Sequence, residues 1–110
     1  MSKQELYREI NMMAEAICHG EPNLIANLSN ISAILYERLE DVNWAGFYLV
    51  SDQINGSGKE LVLGPFQGKA ACVRIPIGKG VCGTAAETLE TQLVFDVHAF
   101  EGHIACDAAS

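Results

Sequence analysis

Basic residues are scarce in this 110-residue chain: seven Lys and Arg stand against fourteen Asp and Glu, a formal net charge of −7. A phosphate-backbone partner needs clustered Lys and Arg, so no nucleic-acid partner is expected. Long apolar runs are also missing. None approaches the ~20 residues that a helix needs to span a bilayer, so no membrane partner is expected. The opening MSKQELYREI lacks the apolar core of a signal peptide. The expected location is therefore cytoplasmic. There is no internal repeat, no low-complexity segment and no paired C-x-x-C. These absences remove solenoid architectures and the commonest zinc knuckles.

What remains is an ordinary globular composition, 49% hydrophobic and 19% charged. A chain of this length buries roughly two-thirds of its unfolded surface, enough for one core, so one domain is expected over 1–110. A helix is expected over 2–17, where Ser2 and Glu5 fit a capping box and Leu6, Ile10, Met13 and Ile17 recur at helical spacing. His19-Gly20 ends it. Pro22 fits the first turn of a second helix, with Leu24, Leu28, Ile31, Leu35 and Leu39 as its apolar stripe. The period then changes. Over 43–50, Trp44, Gly46, Tyr48 and Val50 share one strand face. Asn55-Gly56 suits a hairpin tip, and 60–66 returns as a strand with a bend or edge at Gly64-Pro65. A third strand is expected over 71–75, a loop at PIGKG, a short helix over 80–90 along Val81, Ala85 and Leu89, and a fourth strand over 92–97. The class is α+β, an antiparallel sheet with N-terminal helices packed on one face.

The chemistry concentrates in DVHAFEGHIACDAAS, residues 96–110. Cysteine is a nucleophile only as the thiolate, and Cys106 is flanked by Asp107 and the small residues Ala108, Ala109 and Ser110, which would let a small substrate come close. Cys72 and Cys82 lie upstream on segments that could reach it. Cys106 is read as attacking a substrate, and one of the other two as closing a disulfide. Each also has a plainer reading. Cys72 suits a buried core position, Cys82 could pack its helix onto the sheet, and Cys18 is a small half-buried residue. A helix N-terminus and Lys79 would lower the Cys82 thiol. His98, His103 and Cys106 could hold zinc, but the H-x4-H-x2-C spacing is poor, so no metal is expected. Asp96 and Asp107 suit turn or capping roles. Trp44 and Tyr48, with Gly46 between, would leave a shallow apolar slot able to wall a thioether or methyl group.

NWAGFYLV at 43–50, LVLGPFQGKAACVRIPIGKGVCGTA at 61–85 and DVHAFEGHIACDAAS at 96–110 resemble the free methionine-(R)-sulfoxide reductases, enzymes built on a GAF domain. The likeness covers nearly the whole chain, and three cysteines match with separations of ten and twenty-four residues. It implies a GAF-like fold and reduction of free methionine sulfoxide, a function in oxidative stress. Cys106 would be the nucleophile, Cys72 the resolving thiol and Cys82 a second or alternative resolver in a redox-active disulfide. Trp44 and Tyr48 would line the methyl-sulfoxide pocket. Thioredoxin would be the reductant, with no bound cofactor, and the assembly a homodimer. The family pattern continues past the equivalent of Ser110 with two strands, a helix and the acids that hold substrate and protonate the sulfoxide oxygen. Asp96, Glu101 and Asp107 match none of those acids. The resemblance thus implies a C-terminally truncated domain without normal activity. The competing expectation is a non-catalytic GAF-type sensor that binds a small molecule in the same pocket.

Overall fold

The computed structural model describes residues 1–102. Helices α1 (Lys3–Cys18) and α2 (Leu24–Arg38) precede strands β1 (Trp44–Asp52), β2 (Lys59–Gly68) and β3 (Arg74–Pro76), helix α3 (Gly80–Thr88) and a 3-10 turn over Val97–Ala99. Among the described residues the sheet has three strands, in the order β1-β2-β3. The α+β class holds. Two compact units divide the chain: Met1–Phe47 with Gly64–Lys69, and Tyr48–Leu63 with the residues from Ala70 onward.

The first unit begins with a capped helix. Ser2 Oγ accepts from the Glu5 amide at 3.1 Å and donates to the Glu5 carboxylate at 3.1 Å, which satisfies one of the free amides of the first turn. Gly20, at φ +75°, ends the turn that follows. The second helix starts later than expected. Asn23, not Pro22, sets its start, accepting from the Ala26 amide at 2.9 Å. An Arg38–Glu9 ion pair links α2 to α1. The expected stripe on α2 is only half right. Leu24 is exposed, and the buried positions, Ser32 and Ile34, flank the stripe. Ser32 is wholly buried because α2 meets β2 there: its hydroxyl lies 2.8 Å from the Leu28 carbonyl and 3.2 Å from the Pro65 carbonyl. A buried hydroxyl with acceptors in reach costs little, whereas an unpartnered one would cost about 1–3 kcal/mol.

The second unit is a hairpin edged by β3 and followed by α3. The Gln53 amide donates to the Gly58 carbonyl at 3.1 Å, and Gly56 and Gly58 adopt positive φ in the turn. β2 and β3 run antiparallel with Leu61 opposite Ile75, the two buried apolar residues among the described residues of this unit. β3 is shorter than the 71–75 strand expected. The ladder continues to a Leu63 amide donating to the Val73 carbonyl at 2.9 Å and goes no further. The next donor due on that edge of β2 is at position 65, and proline has none.

The expected face of α3 is also corrected. Gly80 and Gly83 are buried, while Leu89 is 89% exposed and closes the helix in the left-handed conformation. A Cβ on Gly83 would lie 2.5 Å from the Pro76 carbonyl oxygen, so only glycine lets α3 seat on the turn after β3. Residues 92–97 form no strand. Leu93 and Phe95 are exposed there, and a strand needs a partner for its main chain that this segment does not have in the sheet.

Candidate active site

The aromatic residues of β1 are fixed by the strand that returns beside them. In the first unit, the Trp44 ring stacks on Phe66 with centroids 5.4 Å apart and planes 15° from parallel. Its indole N–H donates to the Lys69 carbonyl at 3.1 Å. A Cβ on Gly46 would sit 2.8 Å from Phe66 Cα and 2.9 Å from the Pro65 carbonyl oxygen. Glycine at 46 serves a close strand approach. Phe66 was legible only as part of a motif; a large aromatic on the strand returning past Trp44 was the signal for it.

The remaining candidates belong to the second unit. Tyr48 sits on β1 and donates its hydroxyl to the Cys72 carbonyl at 2.7 Å. Burial, and then the charge that Cys82 would carry as thiolate, push the Tyr48 hydroxyl pKa up, so it stays a proton donor across the neutral range. Cys72 was expected mid-strand but lies in the irregular segment just before β3. It is disulfide-bonded, whereas Cys18 and Cys82 carry free thiols.

Cys82 is the third residue of α3, near its N-terminus as expected. The expected lowering of its thiol is corrected. Although the residue as a whole is exposed, the surrounding protein desolvates the thiolate and pushes the pKa up. Lys79 is the N-cap residue of α3 and makes no side-chain capping bond. At neutral pH, Cys82 is therefore a thiol rather than a primed thiolate.

Asp96 takes the capping role weighed for it, accepting from the His98 amide at 3.0 Å to hold the 3-10 turn. The chain then runs back toward α3. A Cβ on Gly102 would lie 3.9 Å from the Gly80 amide nitrogen. His103, Cys106 and Asp107 lie outside the described residues, so the proposed nucleophile and most of the weighed zinc set do too. Among the described residues no group of three His, Cys, Asp or Glu could hold a metal ion, and no helix is long and apolar enough to cross a membrane.

An open groove of about 470 Å³ runs along α1, lined by Glu5, Arg8, Glu9, Met12, Met13 and Ala16. It holds no cysteine and none of the candidate residues.

No protein-family model matches the chain. Curated and solved proteins do. The free methionine-R-sulfoxide reductase of Escherichia coli is 57% identical over 110 residues, which is all of this chain and 63% of that protein. A solved protein of Burkholderia vietnamiensis, described as a GAF sensor, is 59% identical with a TM-score of 0.88, over 100% of this chain and 66% of that one. The free methionine-R-sulfoxide reductase of Neisseria meningitidis, solved with its substrate, is 44% identical with a TM-score of 0.87, over 98% of this chain and 62% of that one. The chain has the GAF fold and spans a little under two-thirds of the length of these relatives.

Proposed function

We propose that this chain belongs with the free methionine-R-sulfoxide reductases and carries the cysteine chemistry of such an enzyme. The observation behind this reading is its 57% identity to the Escherichia coli reductase along its full 110 residues.

In the proposed reaction, the Cys106 thiolate attacks the sulfur of free methionine-R-sulfoxide. Methionine leaves with two more electrons on its sulfur, and the oxygen stays on Cys106 as a sulfenic acid. The Cys72 thiol then attacks that sulfur. An S–S bond forms, the S–O bond breaks and water departs with the Cys72 proton. Thioredoxin returns the disulfide to two thiols by exchange. A disulfide-bonded Cys72, with a free thiol on Cys82, supports Cys72 as the first resolver. The raised thiol of Cys82 fits a reserve role, because the attacking species is the thiolate. The Trp44 and Tyr48 rings would flank the methyl-sulfoxide end of the substrate. Protonating the leaving oxygen needs a donor in reach, and the committed Asp96 makes a poor candidate for it.

The test is NADPH consumption by the purified protein with thioredoxin, thioredoxin reductase and free methionine-R-sulfoxide. One NADPH is consumed per sulfoxide, and Cys106→Ser reduces the rate to background. A second reading follows from the similarity to the Burkholderia vietnamiensis protein: a GAF-type sensor. It predicts saturable ligand binding with no turnover, unaffected by alkylation of the thiols.

A further inference from the structure

Cys72 lies in the irregular chain that leads into β3. It precedes β3, outside the paired stretch of 74–76, and the nearest ladder bond is that from the Leu63 amide to the Val73 carbonyl. One side chain reaches its main chain from afar: the Tyr48 hydroxyl, on a strand 24 residues earlier, donates to the Cys72 carbonyl at 2.7 Å. That is a short, well-made bond for two oxygens. The same tyrosine lies close enough to Cys82 for a thiolate there to act on it. Tyr48 thus bonds the backbone of one candidate resolver, Cys72, and lies within electrostatic reach of the other, Cys82.

We propose that Tyr48 is a positioning residue for resolution: its bond to the Cys72 carbonyl holds Cys72, rather than Cys82, as the thiol that closes the disulfide. This deepens the proposed reductase function and rests on it. It assigns the hydroxyl a task distinct from that of the ring. The ring would flank the substrate, while the hydroxyl sets the place of the resolving sulfur. Disulfide closure depends sharply on that place, because the two alpha carbons must come within about 7 Å with their beta carbons facing. Releasing the carbonyl lets the 70–73 segment drift, and the sulfenic acid then waits for whichever thiol arrives. The bond-making step is unchanged: a thiol sulfur attacks the sulfenic sulfur, and water leaves with the thiol proton.

The experiment compares the intact protein with Tyr48→Phe, which keeps the ring and removes the hydroxyl. Each reduced protein receives one equivalent of free methionine-R-sulfoxide, is quenched with an alkylating agent and is mapped by peptide mass spectrometry. The expected result is a rise of about threefold or more in the share of disulfide made by Cys82, with a fall in kcat and a KM within about twofold, since a misplaced backbone costs closure rather than ring contact. A parallel arm uses hydrogen peroxide, which makes the sulfenic acid without the sulfoxide. If the sulfoxide oxidises neither protein but peroxide reveals the same shift between Cys72 and Cys82, the reductase reading falls and the positioning role stands. An unchanged Cys72 share in the peroxide arm overturns the positioning role, whatever the sulfoxide does. Should Tyr48→Phe not fold, an ester in place of the Cys72–Val73 amide weakens the same carbonyl as an acceptor and leaves every side chain intact. It is expected to shift the partition in the same direction, and no shift there also overturns the proposal.

Discussion

The two units of this chain use one device for opposite ends. In the first, Gly46 lets β2 pass so close to β1 that Phe66 Cα would be 2.8 Å from an added Cβ. In the second, Gly83 lets α3 sit on the Pro76 carbonyl, 2.5 Å from where a Cβ would be. The first close approach seats a stacked pair, Trp44 and Phe66, next to a helix pair with a wholly buried Ser32. The second seats a helix that carries a free thiol, in the unit that also holds a bonded cysteine. One unit spends its tight packing on holding shape, and the other spends it on placing sulfur.

That contrast can be broken. Gly46→Ala has the largest expected effect, a loss of about 3 kcal/mol in unfolding free energy measured in urea, because all three clashing atoms, Phe66 Cβ and Cα and the Pro65 carbonyl oxygen, lie in or beside the backbone and cannot rotate away. The native-state alkylation rate of Cys82 stays as it was. Gly83→Ala costs less, about 2 kcal/mol, since the clash is with one carbonyl at a turn, but it speeds Cys82 alkylation by loosening α3. Equal changes in Cys82 reactivity in both variants would show that the two units do not divide the work. The smallest effect is one of pH. Burial raises the Cys82 thiol, and the thiolate is the form that reacts. Its alkylation rate therefore reaches half-maximum at a pH above that of an unperturbed cysteine, roughly 8.5. A midpoint below that value would restore the primed thiolate suggested by the helix terminus.

Local signals were legible and distant ones were not. The Ser2 cap, the Gly20 stop and the Asn55-Gly56 turn depend on neighbours within a few residues, and each formed near its expected place. The stripe on α2 was read from its own period, yet what buries Ser32 is the carbonyl of Pro65, thirty-three residues on. The strand expected over 92–97 had a suitable composition and no partner in the sheet. At the site, residue type and spacing singled out the cysteines and Tyr48. The bond from Tyr48 to Cys72 was not legible, because it ends on a main-chain oxygen that every residue possesses. The thiol of Cys82 was misread for a related reason. Helix ends and nearby lysines are visible in a sequence, whereas the loss of water around a sulfur is not.

Pro65 closes the ladder between β2 and β3 by withholding a single hydrogen. Had another residue stood there, the zipper could have run on and stitched the stretch around Cys72 into the sheet at every second amide. With that ladder ended, the stretch is met instead by a phenol from β1, whose hydroxyl donates to the Cys72 carbonyl.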